Sequence, residues 1–91
     1  MAVDIVEVYW TKQAAEDRNY WLRRDRRMAK KIEDLVKAVQ HDPFHGIGKP
    51  EPLRYDLAGY WSRRITGAHR LVYRIEGKVL YIAQCRFHYA K

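Results

Sequence analysis

Glu51, Arg70 and His88 are side chains of the types needed to break a phosphodiester bond in RNA. Such cleavage takes a base to activate the 2′-hydroxyl, a cation for the charge that develops on phosphorus, and an acid to protonate the departing 5′-oxygen. The 2′-hydroxyl is an internal nucleophile, so the chemistry requires neither a metal ion nor a covalent enzyme intermediate, and DNA would be left uncut. No cofactor and no metal are assigned. Glu51 and His88 also have ordinary readings: Glu51 is a surface glutamate in a proline-rich turn, and His88 an exposed histidine near the end of the chain.

The composition is compatible with that chemistry. Lys and Arg number 18 against 11 Asp and Glu, a formal charge of +7 and a pI near 9.8. This balance suits a polyanionic partner through counterion release, although a basic surface kept for solubility or an acidic protein partner would account for it too. Other chemistries lack their residues. His41 and His45 are separated by Pro43 with no ligand cluster beside them, and there is no phosphate-cradling Gly-rich loop, zinc-type cysteine pattern or nucleophilic serine motif. The lone cysteine, Cys85, lies in an apolar alternation and reads as a buried thiol, compatible with a reducing cytoplasm. No apolar run is long enough to span a membrane, and nothing at the N-terminus targets or anchors the chain.

The elements that must position these groups follow from pattern. The 91 residues suit a single domain, 1–91. Ile5, Val6, Val8, Tyr9 and Trp10 predict a first strand, closed by Thr11 as a helix N-cap. A helix follows from Lys12 to about Arg24, with Ala14, Ala15, Trp21 and Leu22 as its apolar positions and Asp17, Arg18, Arg23 and Arg24 solvated. Asp25 caps a second helix whose stripe of Met28, Ile32, Leu35, Val36 and Val39 runs until Pro43 forbids continuation, with Lys30, Lys31 and Lys37 on its solvated face. Asp42 to Pro52 holds all three prolines and forms a stiffened loop in which Glu51 is extended between Pro50 and Pro52. A short strand is expected over Leu53 to Leu57, a turn at Ala58 and Gly59, a strand from Tyr60 or Trp61, and another turn at Gly67 and Ala68.

The last hairpin, turning near Gly77, decides which side chains share a face. A loop of Glu76 and Gly77 alone would put Arg70 and His88 on opposite faces. A three-residue loop of Glu76, Gly77 and Lys78 pairs Ile75 with Val79 and Tyr73 with Tyr81, gathers Cys85 and Phe87 on the core side, and leaves Arg70, Arg74, Arg86 and His88 together on the reverse. The second register segregates polarity better and is preferred, subject to any bulge. Arg63 and Arg64 add to this basic sheet. Tyr89, then Tyr60, are placed to stack on unpaired bases, with Trp61 in the core.

Four ordered motifs, Lys49-Pro50-Glu51-Pro52-Leu53, Gly59-Tyr60-Trp61-Ser62-Arg63-Arg64-Ile65, His69-Arg70-Leu71-Val72-Tyr73 and Cys85-Arg86-Phe87-His88-Tyr89, resemble those of the YoeB-like toxins. These are members of the RelE-like superfamily of bacterial toxin-antitoxin systems. The resemblance runs from about Tyr9 to Tyr89 and includes Trp10, Trp21 and the Lys30-Lys31-Ile32 helix. It implies a small α+β RelE-like domain, with two N-terminal helices packed on a curved antiparallel β-sheet, in agreement with the elements above. It implies a type II toxin acting in the cytoplasm as a ribosome-dependent endoribonuclease that cuts mRNA in the ribosomal A site. It further implies a homodimer and a YefM-like antitoxin; the charge of the basic face separately predicts that an acidic antitoxin segment covers it. Glu51 then matches the general base, Arg70 the phosphate-stabilising arginine, His88 the general acid and Tyr89 the terminal active-site tyrosine. Lys49, Arg54, Arg64 and Arg86 are the RNA-binding candidates. Two departures are a longer N-terminus and the Ala90-Lys91 tail after Tyr89. The alternative is a non-catalytic relative that grips nucleic acid or a protein target such as gyrase, against which the retained base, acid and arginine argue.

Overall fold

The protein is described over residues 4–88 by a computed structural model, and both helices begin at the side chains suited to cap them. Thr11 Oγ1 accepts from the Ala14 N–H at 3.1 Å and starts α1, Lys12–Arg24. Its hydroxyl also donates to the Ala83 carbonyl at 3.0 Å, fastening the helix start to the sheet. Asp25 serves both helices: its N–H donates to the Trp21 carbonyl at 2.8 Å, and its Oδ1 accepts from the Arg27 N–H at 3.1 Å to open α2, Arg26–His41. Asp42 is extended and Pro43 follows, so α2 stops there. Its stripe of Ile32, Leu35, Val36 and Val39 is buried, each side chain worth about 1.5–3 kcal/mol against exposure. Lys30 and Lys37 make exposed ion pairs with Asp34 and Glu33, which add little.

The α1 face corrects the sequence reading at one position. Asp17 was expected in solvent and is 4% exposed, in line with Ala14 and Trp21 on the buried face. Its carboxylate takes up the backbone N–H of Cys85, just past the last strand, an end use that charge alone conceals.

Five strands form an open sheet in the order β1-β5-β4-β3-β2, with β1 Glu7–Trp10, β2 Glu51–Pro52, β3 Trp61–Arg64, β4 Arg70–Glu76 and β5 Val79–Gln84. The two-helix-on-sheet architecture is the expected one; β1 runs parallel to β5, so the sheet is mixed, and its other neighbouring pairs are antiparallel. The core lies between the helices and one sheet face, where Ala14, Trp21, Ile32, Leu35 and Val39 meet Leu71, Tyr73, Leu80, Ile82 and Cys85. The strand expected over Leu53 to Leu57 is replaced by β2 before it and a single 3-10 turn, Tyr55–Leu57. Leu53 donates its N–H to the Tyr60 carbonyl at 2.9 Å, and Tyr55 then turns away at φ 58°, 90% exposed. No helix among the described residues is long and apolar enough to cross a membrane.

Neither expected register of the last hairpin is adopted. Glu76 opposes Val79 across a turn of Gly77 and Lys78, with Gly77 at φ 61°. Tyr73 therefore opposes Ile82, and Leu80 and Ile82 enter the core while Tyr81 goes to the other face, its ring 4.3 Å from the Arg74 guanidinium. Every residue from Val79 to Ala83 is apolar or aromatic, so polarity could not choose between parities. A bulge between Val72 and Tyr73 then inserts Ala83 and sets Val72 opposite Gln84. That extra residue returns Cys85 to the core and leaves the strand end beside Arg70, whose N–H donates to the Phe87 carbonyl at 3.0 Å.

Candidate active site on the basic sheet face

Register places the first group of residues. Glu51 opposes Ser62, Ser62 opposes Val72, and two residues along β3, on the same face, Arg64 opposes Arg70. Directly opposed residues share a face, so Glu51, Arg64 and Arg70 lie on the face away from the helices, while Arg63, Leu71 and Tyr73 point toward them. β2 and β4 are two strand spacings apart, roughly 10 Å, leaving room for a phosphodiester between Glu51 and Arg70. Pro50 and Pro52 keep Glu51 extended for this pairing, as the sequence suggested.

Arg64 and Arg70 are like charges set side by side, an arrangement that destabilises a sheet unless something negative is shared between them. Neither has a carboxylate within ion-pair distance among the described residues. Arg70 instead donates one guanidinium nitrogen to the carbonyls of Thr66, Gly67 and His69, at 2.7, 3.3 and 3.1 Å. His88 reaches the same turn, with Nε2 3.2 Å from the Gly67 carbonyl. A carbonyl can only accept, so Nε2 carries a hydrogen there. Arg70 and His88 thus converge on one oxygen.

What aims His88 is a set of contacts around the end of β5. Asp17 accepts from the Cys85 N–H at 3.0 Å, and the Trp21 indole donates to the Cys85 carbonyl at 2.9 Å. Gln13 steadies the Asp17 carboxylate at 2.9 Å. Two residues on, the Phe87 N–H donates to His69 Nδ1 at 2.7 Å, and Gln84 donates to the Arg86 and His88 carbonyls at 3.0 and 3.2 Å. Phe87 sits at φ 62°, a left-handed conformation that a bulky residue holds only when its surroundings impose it. Burial pushes the Cys85 thiol up to about 12, so it stays protonated and takes no part as a nucleophile.

The remaining candidates are placed elsewhere. Arg86 leans toward the helices, its guanidinium 3.5 Å from the Tyr20 ring centre and 4.4 Å from that of Phe87, rather than lining up with Arg70 as the expected register had it. Arg54 and Lys49 are exposed on either side of Glu51, Lys49 at φ 51°. Tyr89 lies outside the described residues. Trp61 packs against the core beside Phe44, as expected, and Tyr60 lies under Arg74. Arg63 is no part of the basic surface: it is 0% exposed and donates to the Tyr73 hydroxyl and to the carbonyls of Ile47, Asp42 and His45. Tyr73 in turn donates to the Pro43 carbonyl at 2.6 Å. Arg63 therefore shapes the loop that leads to Glu51.

Asp17, Trp21 and His69 hold the backbone of Cys85 and Phe87, contacts that sequence reasoning did not single out. A signal existed for the first two: Ala14, Asp17 and Trp21 stand three and four apart, which puts the acid on the apolar stripe. For His69 the partner is a backbone N–H eighteen residues away, and nothing local marks it.

Comparison with known proteins bears on the whole chain. Residues 10–89 match the family described as "YoeB-like toxin of bacterial type II toxin-antitoxin system". Toxin YoeB of Escherichia coli K12 is 48% identical over 84 residues, 92% of this chain and 100% of that protein. The structure of a "YoeB/ParE toxin" from Agrobacterium tumefaciens superposes with a TM-score of 0.90 at 50% identity, covering 92% of this chain and 100% of that one. The Staphylococcus aureus YoeB, 42% identical, has been solved as a dimer, with a TM-score of 0.85 and coverage of 92% and 98%. It has also been solved as a YoeB-YefM complex, with a TM-score of 0.84 and coverage of 90% and 95%. With a family match over nearly its full length on the geometry described, the chain belongs to the YoeB-like toxins of bacterial type II toxin-antitoxin systems.

Proposed function

We propose that this toxin is a ribosome-dependent endoribonuclease that cuts mRNA in the ribosomal A site. The observation that carries the reading is the Arg64–Arg70 pair, set side by side without an ion-paired carboxylate among the described residues, with His88 on the same turn and Glu51 on the same sheet face. The Glu51 carboxylate takes the proton of the 2′-hydroxyl as its oxygen bonds to phosphorus. Arg70, with Arg64 beside it, meets the charge on the non-bridging oxygens, exchanging its carbonyl partners for stronger anionic ones. His88 gives the Nε2 proton to the 5′-oxygen as the P–O5′ bond breaks, leaving a 2′,3′-cyclic phosphate and a free 5′-hydroxyl. The internal nucleophile means that no step calls for a metal or cofactor. Lys49 and Arg54 extend the phosphate track, Arg86 being turned to Tyr20 instead, and Tyr89 stacks on a base.

The partners follow. Ribosome and mRNA place the activity in the cytoplasm, and a YefM-like antitoxin silences it by laying carboxylates over Arg64 and Arg70. The chain pairs with itself as its Staphylococcus aureus relative does.

The test is to map cuts on a translated message. Wild type is expected to cut within the A-site codon. Arg70→Ala is expected to lower the rate about 10²–10³-fold and His88→Ala about 10²–10⁴-fold. Intact message with wild type, or full cutting by Arg70→Ala, would overturn the reading; RNA bound yet uncut would point to a binding protein instead.

A further inference from the structure

We propose that His69 is a positioning residue that holds His88 on target through its unprotonated Nδ1 and lets it go on protonation, making the toxin acid-sensitive. The inference rests on the ribonuclease reading above and adds to it a residue that touches no reacting atom.

Its geometry is specific. The Phe87 N–H can only donate, so the 2.7 Å contact requires a lone pair on His69 Nδ1 and puts the ring proton on Nε2. The ring is held edge-on against Trp21, centroids 4.8 Å apart, and Phe87 lies on another side at 5.8 Å. The His69 carbonyl also accepts from Arg70 and, on the turn, from the N–H groups of Ile65 and Thr66. One residue therefore holds Arg70 by its backbone and the His88 segment by its ring.

The left-handed Phe87 makes the hold consequential. With φ at 62°, that residue gains by returning to extended backbone unless its N–H and carbonyl are both fixed, and they are fixed by His69 and by the Arg70 N–H. Without the Nδ1 acceptor, one of the two restraints goes and the next residue, His88, is re-aimed. A displacement of about 1 Å at a reacting group is enough to cost on the order of 10²-fold in rate.

The surroundings of the ring on balance oppose its protonation. Desolvation lowers the His69 pKa most, the charges of Arg86 and His88 lower it further, and Asp17 acts the other way. A folded value below the ordinary 6.5 means that the neutral ring stabilises the fold fully above 6.5, and that this contribution is lost as pH falls through the depressed value.

The experiment compares single-turnover cutting of translated message by wild type, His69→Ala and His69→Asn across pH 5–8, each rate expressed relative to wild type at the same pH so that the ribosome's own response cancels. The Asn Oδ1, like His Nδ1, is bonded to Cγ, but it cannot be protonated in this range. His69→Ala is expected to lose about 10–10²-fold in kcat with KM changed less than about threefold, since the basic face is intact. His69→Asn is expected to restore most of that rate and to gain on wild type as pH falls. In parallel, the Phe87 amide of the wild-type toxin, followed by NMR, should shift with the His69 titration. Equal cutting by His69→Ala, a His69→Asn that follows wild type into acid, or a Phe87 amide indifferent to His69 would overturn the inference. A wild type that leaves message whole at every pH would overturn the ribonuclease reading itself, a different result from an active wild type matched by His69→Ala.

Discussion

Arg63 and Arg70 show how far environment outranks residue type. They belong to adjacent strands, yet Arg63 faces the helices and spends its guanidinium on three loop carbonyls and a tyrosine hydroxyl, while Arg70 faces outward with Arg64. A guanidinium suits the buried role because its planar fork can satisfy several acceptors at once. Arg63→Ala would leave those acceptors unpaired around a cavity, and is expected to destabilise the fold by more than about 3 kcal/mol. Arg63→Lys should recover only part of this. Urea unfolding checks both, and a loss under about 1 kcal/mol for Arg63→Ala would show that the loop does not depend on the cage.

At the level of elements, α1 is more than a cover for the sheet. Asp17 and Trp21, one turn apart, grip the N–H and carbonyl of Cys85 and so fix where β5 ends and the His88 segment begins. The helix is itself fastened to the sheet through Thr11 and Ala83. Asp17→Ala leaves the buried Cys85 N–H without an acceptor, at a cost of about 1–3 kcal/mol. Hydrogen exchange at the Cys85 amide should accelerate in that variant more than at Leu80 or Ile82 in the strand interior. Uniform acceleration along β5 would mean that Asp17 supports the fold generally and not the strand end.

For the molecule as a whole, the net charge of +7 matters less than its distribution. Lys30 and Lys37 on α2 are matched by Asp34 and Glu33, whereas Arg64 and Arg70 have no such match among the described residues. Single-stranded RNA should therefore be held on the sheet face. Arg64→Ala is expected to reduce the slope of log affinity against log salt by about 0.7, the value for one phosphate contact, and Lys37→Ala to leave it unchanged. Fluorescence anisotropy with a short RNA measures both; equal effects would mean that the attraction is spread over the whole surface.

Much was legible from local chemistry alone. Thr11, Asp25 and Pro43 bound the two helices because capping and proline geometry are set by the residue itself, and the stripe from Ile32 to Val39 is buried because its spacing leaves one face apolar. The extension of Glu51 was also readable, since two flanking prolines leave it little choice, but its pairing with β3 was not: the sequence put it in a loop beside the sheet. The candidate site residues stood out as ordered motifs. Tertiary structure alone decided the register of the last hairpin, where Leu80, Tyr81 and Ile82 could each have served the core, and a bulge at Ala83 had to restore the side-chain parity near His88. It alone sent Arg63 inward, Arg86 toward Tyr20 and Asp17 under Cys85, and it alone gave His69 a backbone partner. The division has one physical cause: caps, turns and stripes are satisfied within a few residues, whereas the partner of a buried polar group comes from wherever the folded chain leaves a donor or acceptor unmet.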